Sequence, residues 1–285
     1  MKNIVIAAGY ATRLGELTKN FPKPLLKIGD STILGRMLDD IDQIPDIDEH
    51  IIITNHKFAH IFEEDPLLSP LKEGGKYTKP ITIVDDGTET NDTRLGAVCD
   101  LLLAIEMLDK RPLDSTKRTW AAEEIKSLPL REVGGSDDML VVAADNLLFF
   151  TFADFVKFAK EKGGSCIMRH YQPSVEKLQR TGVVVLDAED KVLNMEEKPQ
   201  VPKSNWAVPP FYIYLKKDLD LVRHSVENGC GKDAPGNLAH YMVDNTTMFA
   251  WEMKRTDGNE KEPIRFDIGS LDTYHEACAK YGVKK

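Results

Sequence analysis

Cysteine is scarce in this sequence, and no long apolar run is present. The four cysteines, Cys99, Cys166, Cys230 and Cys278, lie far apart and form no Cys-x-x-Cys pair, so neither a zinc site nor a disulfide framework is indicated. We expect reduced thiols in the core or on the surface. No stretch approaches the ~18 apolar residues of a membrane span, and the apolar run at the N-terminus is too short for a signal peptide. A cytoplasmic protein without membrane contact is therefore predicted.

Basic charge is also in short supply. The chain has 37 lysines and arginines against 46 acidic residues, a formal net charge of -9, so bulk attraction to nucleic acid is not expected. A bound polyphosphate would need cations that are placed locally. The 285 residues are 42% hydrophobic and 29% charged, which is ordinary globular composition and excludes the disordered and fibrous classes.

The standard phosphate-binding motifs are missing as well. No Gly-x-Gly-x-x-Gly follows the first predicted strand, and no Gly-x-x-x-x-Gly-Lys-Ser/Thr lies near it, which disfavours dehydrogenases and kinases. Among the seven histidines, only His56 and His60 have a spacing typical of metal ligands. They fall on a predicted helix, and we interpret them as surface residues.

Short apolar runs alternate with helical patterns in the first half, as in a parallel α/β sheet. The predicted strands are Asn3–Ala7, His50–Thr54, Pro80–Val84 and Asp138–Ala143. The predicted crossover helices, with apolar residues at three- and four-residue intervals, are Ile33–Ile44 and Leu95–Leu108. A doubly wound α/β fold with a mostly parallel sheet follows. Such sheets bind ligands at the carboxyl ends of their strands, here Ala7–Gly9 and Ala143–Asn146.

The second half of the chain has a different sequence pattern. Lys110–Asp137 is polar and interrupted by proline and glycine, and we interpret it as an insertion or a loosely packed helical excursion. The later elements are predicted as three strands and a closing helix, at Gly182–Asp187, Lys191–Glu196, Pro209–Leu215 and Leu271–Tyr281. No long linker is found, so residues 1–285 are predicted to form one α/β domain with a C-terminal lobe that binds substrate.

Two cations follow the first strand in a short space. Gly9–Leu14 comes directly after that strand, and the segment Phe21–Leu26, with the sequence Phe-Pro-Lys-Pro-Leu-Leu, follows after six intervening residues. A tight turn at a strand end exposes backbone N–H groups to a phosphate, and Arg13 can donate to two phosphate oxygens. Lys23 adds a point charge whose backbone is stiffened by the flanking prolines.

These two segments together resemble the signature of the sugar-1-phosphate nucleotidylyltransferases, in which a Gly-rich turn ending in Thr-Arg-Leu precedes Pro-Lys-Pro-Leu-Leu. The resemblance implies that the protein joins a nucleoside triphosphate to a sugar 1-phosphate, giving a nucleotide sugar and pyrophosphate, with Mg²⁺ as cofactor. It further implies that residues 1–150 bind the nucleotide and residues 151–285 bind the sugar phosphate. The residues expected to contact the triphosphate at this turn are Ala8, Gly9, Arg13 and Lys23.

Two acids are candidate metal ligands. Asp145 ends an apolar strand at the predicted ligand edge, and Asp267 lies on a short turn before the last helix. Two carboxylates suit a largely hydrated Mg²⁺ whose other ligands are substrate phosphates. Ala144–Asn146 resembles the family's Gly-Asp-Asn motif, and Phe266–Gly269 resembles its late Trp-Asp-x-Gly motif, which implies metal binding by both acids and a nucleotide contact from Asp145. The alternative is that each acid caps a turn or helix.

The sugar phosphate is assigned by the same resemblance. Glu197 and Lys198 lie in a segment similar to the family's Glu-Glu-Lys-Pro, which implies that Glu197 accepts hydrogen bonds from sugar hydroxyls and that Lys198 neutralises the acceptor phosphate. Gly182 matches a glycine that lets the sugar approach the backbone, but Thr181 stands where the family has tyrosine. The alternative for Glu197 and Lys198 is a solvated strand end.

Two further positions depart from the family pattern. Ala11 replaces a glycine of the turn, and its methyl group is expected to crowd the phosphate or shift the backbone. The segment that reads the base in the family corresponds to Asp85–Ala97, and its last part, Thr93–Ala97, retains the glycine that opens the helix and loses the rest of the family pattern. We expect nucleotide contacts from Thr93 and Gly96, although these residues also suit a helix N-cap, and the base does not follow from them.

The predicted catalytic residues are Arg13, Lys23 and Lys198. Two other functions remain open, a cytidylyltransferase with a non-sugar acceptor such as phosphocholine and a sensor that binds a sugar nucleotide without turnover. Nucleic acid and membranes are not expected partners. Oligomeric state does not follow from one chain, although members of the family often form homo-oligomers.

Overall fold

The computed structural model of the protein describes residues 1–112, 115–129, 137–259 and 262–282. The strands in these ranges are β1 (Lys2–Ile6), β2 (Lys27–Ile28), β3 (Ser31–Thr32), β4 (Glu49–Thr54), β5 (Ile81–Asp85), β6 (Thr119–Ala121), β7 (Met139–Ala143), β8 (Asn146–Leu148), β9 (Ser165–Tyr171), β10 (Gly182–Leu186), β11 (Val192–Glu197), β12 (Trp206–Val208), β13 (Phe211–Tyr214), β14 (Met248–Glu252) and β15 (Arg265–Asp267). The helices are α1 (Glu16–Lys19), α2 (Ile33–Ile41), α3 (His56–Glu64), α4 (Ala97–Lys110), α5 (Ala122–Ser127), α6 (Phe152–Lys162), α7 (Val175–Leu178), α8 (Leu219–Glu227), α9 (Pro235–Asn245) and α10 (Leu271–Tyr281).

One large mixed sheet organises the described residues, in the order β11-β10-β12-β9-β13-β7-β1-β4-β5-β6, with β14 also paired to β9. Strands β7, β1, β4, β5 and β6 are parallel to one another. The four strands predicted for the first half are confirmed as β1, β4, β5 and β7, with ends shifted by one residue or so. The α/β fold with a parallel core is therefore confirmed, and the carboxyl ends of β1 and β7 lie side by side.

The second half continues the same sheet. Strand β13 runs antiparallel to both β7 and β9, and β10 pairs with β11 and β12 in antiparallel register. The three strands predicted there are confirmed as β10, β11 and β13. Strands β9, β12 and β14 were not predicted, and they fill the sheet between the parallel core and the antiparallel edge.

The segment Lys110–Asp137 is partly described, and its residues 113–114 and 130–136 lie outside the described ranges. Within it, β6 pairs with β5 in parallel, and α5 follows. Trp120 is 3% exposed and Ile125 is fully buried. The prediction of a loosely packed excursion is wrong for this part, because these two side chains bury apolar surface against the main core.

Both faces of the sheet are covered, because side chains alternate along each strand. Ile4 packs on the side of α4, whereas the neighbouring Val5 packs on the side of α2 and α3. The four cysteines are free, as predicted. His56 and His60 are exposed, as predicted. Among the described residues, no helix is both long and apolar enough to cross a bilayer.

Candidate active site

A hydrogen bond from the Asn55 side chain holds the loop after β1 in place. This side chain is fully buried, and its Nδ2 donates to the Ala8 carbonyl oxygen at 3.0 Å. Its Oδ1 accepts from the Phe58 backbone N–H at 3.1 Å and so caps α3. Sequence analysis did not single out Asn55. A cap at the start of α3 is readable from asparagine before a helix, but its second bond to the loop depends on the packing of β4 beside β1.

Ala11 has a left-handed backbone conformation, a region of φ that favours glycine. Its φ of 47° and ψ of 38° are left-handed, which costs an L-residue with a Cβ about 1–2 kcal/mol. Two bonds to its carbonyl oxygen hold the turn, from the Leu14 N–H at 3.0 Å and from the Thr18 hydroxyl at 2.9 Å. The space beside Gly9 in the same loop is open, because a Cβ built on Gly9 would meet no atom of the described residues within 4 Å.

Arg13, Lys23, Asp145 and Asp267 converge beyond the ends of β1 and β7. Lys23 is 8% exposed, and its Nζ lies 3.3 Å from Oδ2 of Asp145. A Cβ built on Gly269 would lie 3.2 Å from Oδ2 of Asp267 and 3.9 Å from Nη1 of Arg13. The carboxylate and the guanidinium therefore both border the space beside Gly269, which has no side chain to fill it. The structure thus brings together four residues that are far apart in sequence.

The two acids meet because β8 and β15 pair. Asn146 is opposite Asp267 in this antiparallel ladder, and the Ile268 N–H donates to the Asp145 carbonyl oxygen at 3.1 Å. Burial raises the pKa of Asp267, and the Asp145 charge raises it further, whereas the pKa is lowered by nearby Lys23, Arg265 and Arg13. Asp145 itself is more accessible, with 41% of its side chain exposed.

This pair of acids fits a hard divalent cation. Two neighbouring carboxylates repel each other when both are ionised, and a cation bound between them offsets this repulsion. Among the described residues, no group of three or more His, Cys, Asp or Glu is placed to hold a metal. A cation at Asp145 and Asp267 would therefore take most of its ligands from water or a bound phosphate, which is how Mg²⁺ is usually held.

Arg265 is a further cation at this site, and sequence analysis did not identify it. Its Nη1 donates to Oδ1 of Asn146 at 2.6 Å, which fixes the guanidinium next to both acids. No local signal marks Arg265, because its role depends on the pairing of β15 with β8.

The residues predicted to bind the sugar phosphate form a second group. Gly182 is opposite Glu197 in the ladder of β10 and β11, and a Cβ built on Gly182 would lie 3.2 Å from Oε2 of Glu197. Lys198 has a left-handed φ of 50°, and its Nζ is 3.8 Å from Oε1 of Glu197. Burial raises the pKa of Glu197, and Lys198 lowers it. Thr181 does not face this group freely, because its hydroxyl donates to the Val208 carbonyl oxygen at 2.9 Å.

Charges from both groups act on the buried ring of Tyr212. Burial raises the pKa of its phenol, Glu197 raises it further, and Arg265 lowers it.

Gly236, in the first turn of α9, was not predicted. A Cβ built there would lie 1.9 Å from Oε2 of Glu197, so the carboxylate occupies the space that any side chain would need. Because the φ of Gly236 is not left-handed, its backbone conformation does not require glycine. Glycine is required there only for the close approach of the Glu197 carboxylate. Glu197 is thereby placed against the N-terminus of α9, where exposed N–H groups favour a negative charge.

We predict that Gly236→Ala displaces Glu197 and weakens acceptor binding. The KM for the acceptor should rise about tenfold, the equivalent of roughly 1.4 kcal/mol, with little change in the KM for the triphosphate. Initial-rate kinetics of Gly236→Ala, Glu197→Ala and the double variant provide the test. The double variant should be no worse than Glu197→Ala alone, and additive losses would show that Gly236 acts elsewhere.

The predicted base segment packs against the loop before α9. Gly96 has a φ of 89°, and a Cβ built on it would lie 2.6 Å from the Lys232 carbonyl oxygen. The Val98 N–H donates to that same oxygen at 3.1 Å. Thr93 takes part in a capping box whose N-cap residue is Thr90, in an exposed turn, and Gly96 is the N-cap residue of α4. Nucleotide contacts from Thr93 and Gly96 stay predictions.

A buried carboxyl lies beside this segment. Oδ1 of Asp86 accepts from the backbone N–H and from the hydroxyl of Thr88, both at 2.7 Å. That hydroxyl is 3.1 Å from Oη of Tyr10 in the loop after β1. Oδ2 of Asp86 and Oδ1 of Asp100 are buried and have no hydrogen-bond partner within the described part of the chain. Burial raises the pKa of Asp86 to about 6, and burial together with the Asp86 charge raises the pKa of Asp100 well above its usual range.

This carboxyl should make stability depend on pH. Between the ordinary pKa of 3.8 and about 6, the folded chain holds a proton on Asp86 that the unfolded chain has lost, so the free energy of unfolding falls as pH rises through this window. The contribution is up to about 3 kcal/mol. Urea unfolding from pH 4 to 7 should show a smaller fall for Asp86→Asn than for the wild type, and the remaining fall comes from Asp100, whose pKa is also raised. Asp92→Asn, at an exposed carboxyl, should keep the full fall, and equal pH dependence in both variants would contradict the assignment.

The comparisons with known proteins agree with this architecture. A family model described as Nucleotidyl transferase matches residues 2–283, and the chain belongs to this family. It is 23% identical to a glucose-1-phosphate adenylyltransferase of Fervidobacterium nodosum, over 97% of this chain and 60% of that protein. It is 22% identical to a glucose-1-phosphate thymidylyltransferase of Neisseria meningitidis, over 98% of this chain and 87% of that protein.

The chain spans only about three fifths of the adenylyltransferase. A crystal structure of UDP-glucose pyrophosphorylase complexed with UDP-glucose has the same fold, with a TM-score of 0.71 and 19% identity, over 98% of this chain and 97% of that chain. At this identity the likeness concerns the fold.

Proposed function

We propose that this protein transfers a nucleotidyl group from a nucleoside triphosphate to a sugar 1-phosphate, releasing pyrophosphate. The observation that carries the proposal is the convergence of Arg13, Lys23, Asp145 and Asp267 at the carboxyl ends of β1 and β7 in a member of the nucleotidyl transferase family. Relatives whose names specify glucose 1-phosphate support the sugar acceptor. Their names specify different bases, so the base is left unassigned.

The triphosphate binds, in this proposal, over the loop after β1. Backbone N–H groups of Ala8 and Gly9 donate to the phosphates beside the open space at Gly9, and Arg13 donates to two phosphate oxygens. Lys23 neutralises a phosphate charge. Asp145 and Asp267 would hold Mg²⁺, which supplies charge neutralisation on the triphosphate when bound.

The acceptor is held by the second group, Glu197 and Lys198. Glu197 accepts hydrogen bonds from sugar hydroxyls, and the exposed Lys198 binds the acceptor phosphate. An oxygen of that phosphate forms a bond to the α-phosphorus, and the bond from the α-phosphorus to the bridging oxygen breaks. The bridging oxygen retains the electron pair and leaves as part of pyrophosphate. The protein contributes positioning and charge neutralisation and supplies no nucleophile.

A non-sugar acceptor such as phosphocholine is a second candidate. The observation that favours it is Thr181, which replaces the tyrosine of the family and whose hydroxyl is engaged with Val208. A sugar hydroxyl therefore has fewer partners on this side of the site.

A matrix of triphosphates against acceptors tests the proposal. Each of the common nucleoside triphosphates is combined with several sugar 1-phosphates and with phosphocholine, and pyrophosphate release is followed with Mg²⁺ present. We expect release above background for at least one sugar 1-phosphate. Release with phosphocholine alone would assign the second candidate, and no release with any pair would overturn both.

A further inference from the structure

The Arg265 guanidinium has hydrogen-bond donors to spare at the ligand edge of the sheet. Arg265 lies on β15 two residues before Asp267, so the two side chains are on the same face of that strand. Its Nη1 donates to Oδ1 of Asn146 at 2.6 Å. Its Nε is buried and has no hydrogen-bond partner among the described residues, whereas Nη2, which has no partner there either, is open to solvent. Arg265 is therefore oriented by one bond and can donate others to a ligand.

The positive charge of Arg265 lacks a close anionic partner. Burial lowers the pKa of this guanidinium, and Asp267 and Asp145 raise it without forming an ion pair with it in the described part of the chain. In the proposed function, both acids hold Mg²⁺, and a dication there offsets their charge and repels the guanidinium. A partly buried cation without an ionic partner is unfavourable. Once the metal is bound, an incoming anion is needed to compensate Arg265.

The electrostatic effects of Arg265 extend to the second half of the sheet. Burial lowers the pKa of His170 on β9 to about 4, and the Arg265 charge lowers it further. His170 is thus neutral near pH 7 and adds no cation of its own. The pKa of Tyr212 on β13 is raised by burial and by Glu197, and lowered by Arg265. These effects favour an anion bound with Glu197 and Lys198 over the triphosphate at the loop after β1.

We propose that Arg265 binds the phosphate of the acceptor and is a further catalytic residue of the transfer. This inference rests on the proposed function. Nη1 stays on Asn146 and orients the guanidinium, Nη2 donates to one acceptor phosphate oxygen, and Lys198 binds another. Two cations then offset the repulsion between the acceptor phosphate and the triphosphate as the attacking oxygen approaches the α-phosphorus. Arg265 keeps its protons throughout.

Inorganic phosphate is the probe for this contact, because it carries the chemistry that all the acceptors share. Each protein is first saturated with Mg²⁺ and tripolyphosphate, which fill the triphosphate site. Inorganic phosphate is then titrated and followed by phosphorus nuclear magnetic resonance. We expect Arg265→Met to weaken phosphate binding about tenfold or more, the usual loss for one hydrogen bond to a charged group. Tripolyphosphate affinity, measured by calorimetry, should stay unchanged.

Three further variants separate this contact from a structural role. Arg265→Lys keeps the charge and loses the planar donors, so it should weaken phosphate binding less than Arg265→Met, and it carries the test if urea unfolding shows that Arg265→Met is not folded. Lys198→Met should weaken phosphate binding as well. Arg118→Met is the matched control, because Arg118 is also partly buried and its Nη2 donates to the Leu68 carbonyl oxygen at 2.6 Å. It should leave phosphate affinity unchanged.

An arginine that only balanced the charge of the two acids would behave differently. Its removal would tighten binding of Mn²⁺, measured by electron paramagnetic resonance without phosphates, and would leave the affinity for inorganic phosphate unchanged. That unchanged affinity, equal weakening of phosphate and tripolyphosphate binding, or no phosphate binding by the wild type would overturn the assignment. These assays need neither turnover nor a sugar, so their failure is distinct from failure of the proposed reaction, which the matrix of triphosphates and acceptors detects.

Discussion

Replacing Arg13 with alanine is expected to lower kcat by about 10²- to 10³-fold, or roughly 2.7–4 kcal/mol, the cost of losing one preorganised donor to a charge that develops in the transition state. Arg13 lies at the turn after β1, and its Nη1 would be 3.9 Å from a Cβ built on Gly269. Arg13 forms no ion pair within the described residues. Its guanidinium is thus available for the triphosphate. Initial rates of pyrophosphate release at saturating substrates measure the effect.

The matched control for this prediction is Arg180→Ala. Arg180 is an exposed arginine paired with Glu176 one helical turn away, and pairs of this kind contribute little to stability. It should turn over at the wild-type rate. An Arg13→Ala variant that also turned over at the wild-type rate would remove the loop from the catalytic site.

Replacing Asp145 with asparagine is expected to reduce Mg²⁺-dependent turnover by on the order of 10²-fold, because one of only two carboxylate ligands is lost. The size of the side chain is conserved, and the ladder between β8 and β15 does not use the Asp145 carboxylate, so the fold should survive. Turnover is measured across a Mg²⁺ titration, and the half-saturating concentration should rise.

Asp154→Asn serves as the control for the Asp145 variant. Asp154 is an exposed acid in the first turn of α6. Its magnesium response should match that of the wild type. An Asp145→Asn variant with the same magnesium response as the wild type would exclude Asp145 as a metal ligand.

Much of the parallel core could be predicted from local patterns. Strands β1, β4, β5 and β7 are continuous apolar runs because both of their faces are buried, and α10 begins and ends where its sequence pattern predicts. Strand β9 is different, because Arg169 and His170 interrupt its apolar run. Arg169 forms an ion pair with Asp190 and stacks over Trp206. Both partners lie far from Arg169 in the sequence, so the local pattern around β9 does not reveal them.

The candidate site divides in the same way. Arg13 and Asp145 could be predicted because each lies in a motif directly after a strand of the parallel core, and Lys23 because it lies in the Pro-Lys-Pro segment a short distance further on. Asn55 and Arg265 were missed because their hydrogen bonds to Ala8 and Asn146 are made only after distant strands pair. Gly236 was missed for another reason, since a glycine needed for one close approach has no local signature.

The most direct test of nucleotidyl transfer without a protein nucleophile is isotope exchange. Labelled pyrophosphate is incubated with the protein, Mg²⁺ and a triphosphate that supports pyrophosphate release, with and without the acceptor phosphate, and label in the triphosphate is counted. Our account predicts exchange only when the acceptor is present, because only the acceptor oxygen attacks the α-phosphorus. Exchange without acceptor would reveal a covalent nucleotidyl-protein intermediate and contradict the account.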